Sequence, residues 1–255
     1  MPVTARGPMI LRPLRGSRPL AACIRASVSF RFTPAEAQPL RIRLRTAMSK
    51  TMSPSVIKQL DDQSLGAVEA MRQAVESLEM TAEDLADWGI VGAPRQPGRD
   101  RTVDAIQSFR DKGPFGVSPH MVPQCGLHSL AGIVSQAFAM HGPCMGAGGR
   151  TCGVAEAMTV AVGWLFGEDL KGVWLIFSQR TPGEGATETD TEVLALALTR
   201  HTGATLSLPG DGPSTATTCP VTPELTFDRL KGAMASPGRW CLSVPGLGHL
   251  HGDNR

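Results

Sequence analysis

Between Ser53 and Leu78 the apolar residues fall at Leu60, Leu65, Val68, Met71, Val75 and Leu78, with charged residues between them. Spacings of three and four predict a helix with one buried face. "TAED" (81–84) places Asp84 three residues after Thr81, the signature of a capping box at a helix start. "WGIVGAP" (88–94) is a short apolar run closed by Gly and Pro, and it predicts a buried strand. Residues 94–104, with their Pro, Gly and Arg, read as a loop. "DAIQSFRDKGPFGVSPHMVPQCG" then combines a short helix with a Pro-interrupted connection. Leu127, Leu130, Ala131, Val134 and Phe138 return to helical spacing, and Ala131 and Gly132 leave room for a close neighbour.

A Gly-rich loop follows in "HGPCMGAGGRTCGVAEAM" (141–158). It runs into a second apolar stripe at Val154, Ala157, Met158, Ala161, Val162 and Leu165, with Gly167 as the helix end. "GVWLIFS" (172–178) is a continuous apolar run of strand length, expected to be buried on both faces. "EVLALALT" (192–199) and "ATLSL" (204–208) predict two more strands around a Gly turn. A short helix is expected over 225–234, and "VPGLGHLHGDNR" reads as loop or frayed tail. Helices flanking apolar strands imply a layered α/β domain, and no internal repeat is visible.

The 255 residues suffice for one substantial core. A net charge of +2 gives no case for nucleic acid as a partner. The positive charge is uneven: residues 1–47 hold nine arginines against one acid, Glu36. This segment, also Pro-rich and without a sustained period, reads as a disordered arm outside the fold or as an upstream-extended start before Met48 or Met52. A transit-peptide-like or phosphate-binding arm is the alternative. Residues 48–255 are then the single domain. The six cysteines show no CxxC spacing. No run of about 18 apolar residues offers a membrane span. The expected setting is the reducing cytoplasm, with free thiols.

The Gly-rich loop admits several chemistries. A phosphate cradle needs Lys where "GRT" (149–151) has Arg, and a strand rather than a helix before the loop. The dinucleotide fingerprint needs a Gly where Thr151 stands. His249 and His251 make an HxH with Cys241 upstream, but a His pair in a terminal tail is more often solvated than ligating and no other cluster has zinc spacing, so neither metal nor cofactor is expected. Nucleophilic catalysis is the remaining option. A cysteine at a helix start feels the positive end of the macrodipole and unpaired N–H groups, which favour thiolate and can form an oxyanion hole. Cys152 fits that description, with Gly148, Gly149 and Gly153 as the loop around it. The competing reading is a small residue buried where the helix enters the core.

The span "SPHMVPQCGLHSLAGIVSQAFAMHGPCMGAGGRTCGVAEAMTVAVGWLFGEDLKGVWLIFSQ" (118–179) resembles the N-terminal half of β-ketoacyl synthases, of the thiolase fold. It has Pro119 and Pro123, "AGIVS" (131–135), Phe138, Gly142-Pro143, Ala157-Met158, Gly167-Glu168-Asp169 and the strand at 172–178, in the family's order. Upstream, "IKQLDDQSLGAVEAMRQAVE" resembles the family's first long helix and "WGIVGAP" its next strand. The resemblance covers residues 53–210 and implies the N-terminal half of a thiolase-like layered fold, helices packed on a mixed, mostly apolar sheet. It also exposes a departure. Counting Cys144 as one, the family's nucleophile falls at the eighth residue, Thr151, and Cys152 is one place late. One residue at a helix start turns a side chain by about 100°.

The family's two catalytic histidines come from its C-terminal half, of which "LGHLHGDN" carries only a faint echo. His120, His128 and His141 do not stand at those positions. The resemblance therefore implies a non-condensing subunit of fatty-acid or polyketide-type biosynthesis. Such a subunit would bind a partner synthase or an acyl carrier protein. An acyltransferase using Cys152, acting on an acyl thioester with His120 or His249 as base, is the alternative. A decayed homologue without chemistry is the third. The family usually dimerises through the strand beside the nucleophile helix, which matches 172–178 with Trp174 and Phe177. A homodimer and a heterodimer with a catalytic synthase are both compatible with this.

Overall fold

The computed structural model describes residues 8–12, 20–118, 125–148, 153–167, 170–182, 189–200, 226–235, 238–244 and 248–254. Eight strands form one mixed sheet: β1 (Pro8–Arg12), β2 (Leu20–Phe32), β3 (Trp88–Pro94), β4 (Cys144–Gly146), β5 (Gly172–Pro182), β6 (Thr189–Arg200), β7 (Gly238–Val244) and β8 (Gly248–Asn254). Their order across the sheet is β4-β3-β5-β6-β2-β1-β8-β7. β3 runs parallel to both β4 and β5, and the other pairings are antiparallel.

The period of two along each strand sorts side chains to the two faces. Ile90, Trp174, Ile176, Val193, Ala195 and Ala197 point to one core, with α1 (Pro34–Ala47), α2 (Pro54–Gln59), α3 (Asp62–Ser77) and α6 (His128–Ala137). Val91, Val173, Leu175, Phe177, Leu194, Leu196 and Leu198 point to the other, under α7 (Gly153–Gly167) and α8 (Phe227–Ala235). The central runs look uniformly apolar because helices cover both faces. The layered α/β architecture expected from the sequence is the one observed.

Four expectations are corrected. Residues 8–12 and 20–47 are not an arm outside the fold. β2 pairs with β6 from Ala22↔Arg200 to Phe32↔Thr191, and α1 buries Ala37, Leu40 and Leu44. Arg25 and Arg31 are exposed on a strand that buries Ala22 and Ile24 in one core and Ala26, Val28 and Phe32 in the other. The helix expected over 53–78 is two helices. Leu60 ends the first, and Asp61 caps α3, accepting from the Ser64 N–H at 2.7 Å. Part of the loop read over 94–104 is helical, since α5 (Arg99–Lys112) begins there. The frayed tail is the hairpin of β7 and β8. The strand expected over 204–208 lies outside the described residues.

The Thr81–Asp84 capping box is present. The Asp84 N–H donates to Thr81 Oγ1 at 3.3 Å, and the Thr81 N–H donates to Asp84 Oδ2 at 2.9 Å, opening α4 (Ala82–Leu85). No helix among the described residues is long and apolar enough to cross a membrane.

Candidate functional site

β4, β3 and β5 run in the same direction, and their carboxyl ends open toward the start of α7. In open α/β sheets this is where ligands bind. A cavity of about 400 Å³ lies there. Its walls come from the end of β3 and the residues after it (Ala93 to Pro97), from Leu127, and from Gly148, Gly153 and Val154 around the Gly-rich loop. Ser178 and Gln179 of β5, and Thr226, Phe227 and Asp228 at α8, complete it.

One wall is a buried polar network. Ser178 Oγ donates to Gln63 Oε1 at 2.6 Å. The Gln63 amide donates in turn to the Arg95 carbonyl at 3.1 Å and the Gln96 carbonyl at 3.4 Å, fixing the cavity rim. Beside it, Gln179 Nε2 donates to Asp228 Oδ1 at 2.9 Å and to Glu192 Oε2 at 3.2 Å. Glu192, 3% exposed, is also ion-paired with Lys231. These bonds tie α8 to the sheet. A carboxylate this buried is tolerated because a cation and an amide satisfy its oxygens. The cavity thus offers amide, hydroxyl and carboxylate groups for orienting a polar ligand. No described lining residue is a histidine or a cysteine.

Two of the sequence-derived loop residues meet at this cavity. A Cβ on Gly153 would lie 2.8 Å from the Ala147 carbonyl oxygen, 3.0 Å from Ala93 Cβ and 3.1 Å from Gly148 Cα. A Cβ on Gly148 would lie 2.5 Å from Leu127 Cδ2. Gly153 lets the first turn of α7 press against β3, and Gly148 lets the loop press against Leu127. Gly149, Thr151 and Cys152 lie outside the described residues, as does His120. His249 is on β8, four strand spacings from β5. At about 4.8 Å per spacing this is roughly 19 Å, so His249 does not serve as a base at the start of α7.

Two of the described cysteines, Cys144 and Cys23, are held toward the thiol form. Burial pushes the Cys144 thiol up, partly opposed by a hydrogen bond with the Ser135 side chain, and its Sγ is 4.0 Å from His128 Nε2. Burial likewise raises Cys23, against the nearby charge of Arg25. The strand expected to meet a partner is also corrected. β5 lies between β3 and β6, with Trp174 and Phe177 fully buried, so it presents no edge. The sheet edge beside the Gly-rich loop is β4, where Met145 is 44% exposed. The polar wall was not anticipated. Its one sequence signal is a set of polar residues at Gln63, Ser178 and Gln179 beside otherwise apolar runs.

No known family profile matches the chain, and no curated relative does. Among solved structures, a chain of the ketosynthase of Xenorhabdus doucetiae in complex with its chain length factor superposes with a TM-score of 0.56 at 13% identity. That match covers 92% of this chain and 99% of the other, so the two are of nearly equal length. An oxazolomycin ketosynthase domain from Streptomyces albus matches with a TM-score of 0.38 at 16% identity over 58% of this chain, which spans 35% of that one. The ketosynthase from module 6 of the bacillaene synthase of Bacillus subtilis matches with a TM-score of 0.43 at 12% identity over 67% of this chain, which spans 27% of that one. The chain therefore has the thiolase-like fold of ketosynthases and spans about a third of the latter two proteins.

Proposed function

We propose that the chain is a non-condensing, ketosynthase-like subunit of fatty-acid or polyketide-type biosynthesis that pairs with a catalytic synthase. The observation that carries this reading is the match, over nearly the full length of both chains, to a chain of a ketosynthase and chain length factor complex. Two features support it. The family's nucleophile position holds Thr151. The described wall of the cavity presents amides, hydroxyls and carboxylates, and not the imidazoles that condensation requires. An acyl carrier protein is the natural source of any acyl group brought to such a pair.

A Cys152-dependent acyltransferase is the second reading. It is favoured by one feature: Cys152 directly precedes Gly153, the first residue of α7, where helix N–H groups are unpaired. Incubating the full chain with an acyl-thioester probe, followed by peptide mass spectrometry, separates the two. The expected result is no stoichiometric adduct, with Cys152 reacting with iodoacetamide no faster than Cys125 or Cys144. Full acylation at Cys152 that disappears in Cys152→Ala would replace the first reading by the second.

A further inference from the structure

We propose that the cavity at the carboxyl ends of β3, β4 and β5 takes an acyl group whose far end carries an ammonium, held by Gln179 and Asp228. In naming the ligand as acyl, this rests on the function proposed above. Counting protons on the polar wall shows what remains for a ligand. Gln63 Nε2 lies 3.1 Å from the Arg95 carbonyl and 3.4 Å from the Gln96 carbonyl. Both of its protons are committed there, so its Oε1 takes the proton of Ser178. Gln179 Nε2 lies 2.9 Å from Asp228 Oδ1 and 3.2 Å from Glu192 Oε2. Carboxylates only accept, so both amide protons of Gln179 go to them and its carbonyl Oε1 is left as an acceptor. That oxygen accepts from no described group. Gln179 is 3% exposed and lines the cavity. An acceptor held this deep needs a donor. Water can supply one, and a ligand that displaces the water must bring a proton of its own.

The charge of that donor follows from the two carboxylates beside the amide. Glu192 is neutralised by Lys231. Asp228, also in the lining, has no cation among the described residues, and its Oδ1 is fixed by the neutral Gln179 amide. A free carbonyl next to an uncompensated carboxylate selects a cationic donor, because a charge-assisted hydrogen bond is about twice as strong as a neutral one. An ammonium has three protons and no lone pair, so it can serve both oxygens. An alkyl end, or the carbonyls of a polyketone, would take the water from Gln179 and give nothing back. Arg95 is the cation of the lining, but it is exposed and its side chain bonds to no described group, so it is not preset as Asp228 is.

The rest of the lining suits the body of such a ligand. Ala93, Pro97, Val154 and Phe227 give it an apolar wall. The first N–H groups of α7, at Gly153 and Val154, have no carbonyl partner within the helix and can receive the acyl oxygen.

The test uses the full chain and isothermal titration calorimetry at neutral pH. The probes are octanoyl-N-acetylcysteamine analogues with NH in place of the thioester sulfur, so that they cannot acylate, ending in amino, hydroxyl, carboxyl or methyl. The amino-ended probe should bind at least about tenfold tighter than the methyl-ended one, with the hydroxyl-ended probe between them. Asp228→Asn should cut the amino-to-methyl ratio to about two or less, and Asp228→Glu should keep it, both with the wild-type melting temperature. This ranking is read on the wild-type chain as well as on the variants. Equal binding of the four probes, tighter binding of the methyl-ended one, or no binding at all overturns the inference and leaves the proposed function standing. Equal binding of the amino- and hydroxyl-ended probes overturns the assignment of charge to the ligand. Tightest binding of the carboxyl-ended probe overturns it in favour of Arg95. Co-production with a ketosynthase of the same source tests the proposed function separately. If no synthase is recovered while the amino preference holds, that function fails and the ammonium site stands without the acyl chain.

Discussion

A chain shortened to residues 48–255 should fail to fold. The deleted segment carries β2, an inner strand flanked by β6 and β1, and α1, which packs on α3. Ile24, Val28, Phe32, Leu40 and Leu44 are each 3% exposed or less. At roughly 1.5–3 kcal/mol per buried side chain, these five contribute about 7–15 kcal/mol. That equals the whole stability of a typical domain, about 5–15 kcal/mol. The deletion also bares the long edge of β6, an invitation to aggregate. Production of the shortened chain should give insoluble protein, or a soluble chain without a cooperative melting transition. A soluble 48–255 fragment with a sharp transition near that of the full chain would contradict this.

Replacing Glu69 should have the next largest effect. It lies on α3, 1% exposed. It accepts from Arg72 Nε at 2.9 Å and Nη2 at 3.0 Å, from Gln73 at 2.9 Å and from Arg43 at 3.2 Å. Burial by itself would raise the carboxyl. The hydrogen bonds from Arg72 and Gln73 and the charges of Arg72 and Arg43 outweigh it and hold Glu69 below its ordinary value. Glu69→Ala should cost about 3 kcal/mol at pH 7, the low end for breaking a buried pair, because Arg72 and Arg43 keep access to water. In a chain of this size that lowers the melting temperature by roughly 6–12 °C. The pH dependence follows from the lowered value. Glu69 contributes its full stabilisation above the unfolded carboxylate pKa, about 4.3, and loses it as pH falls through the native value. The gap in stability between wild type and Glu69→Gln should therefore be constant near neutrality and close below about pH 4. A gap that widens on acidification would refute the assignment.

What could be read in the sequence, and what could not, has a physical pattern. β3, β5 and β6 announce themselves because both faces are covered, so their runs are unbroken. α6 and α7 show because their apolar positions keep helical spacing against the sheet. β2 was concealed. It has several small residues, exposed arginines among the buried positions, and a register shift between Ile24 and Ala26 that moves the buried positions from one core to the other and breaks the alternation. α1 contains Pro39 and three arginines, two of them, Arg41 and Arg43, between the buried Leu40 and Leu44. Its real signal was at its start, where Thr33 and Glu36 stand in capping-box spacing and the Thr33 N–H donates to Glu36 Oε2 at 2.8 Å. At the site, local features were legible: the Gly-rich loop and the helix behind it. The polar wall was not, because Gln63 and Ser178 are 115 residues apart in the chain and are joined only by the sheet.

The same distinction bears on function. Gly148 and Gly153 shape a cavity at the carboxyl ends of three parallel strands. Its described polar groups can orient a ligand, and the proposed function takes Thr151 to stand where the nucleophile of the resembled family falls. Under the proposed function, chemistry belongs to a partner and shape to this chain. The most direct measurement is condensation of an acyl thioester with malonyl thioester on an acyl carrier protein. It would be run with this chain alone, with a ketosynthase of the same source alone, and with the two co-produced. The account predicts no carbon–carbon bond formation by this chain alone, and a co-purifying pair whose products differ in amount or length from those of the synthase alone. Condensation by this chain alone, lost in Cys152→Ala, would contradict it.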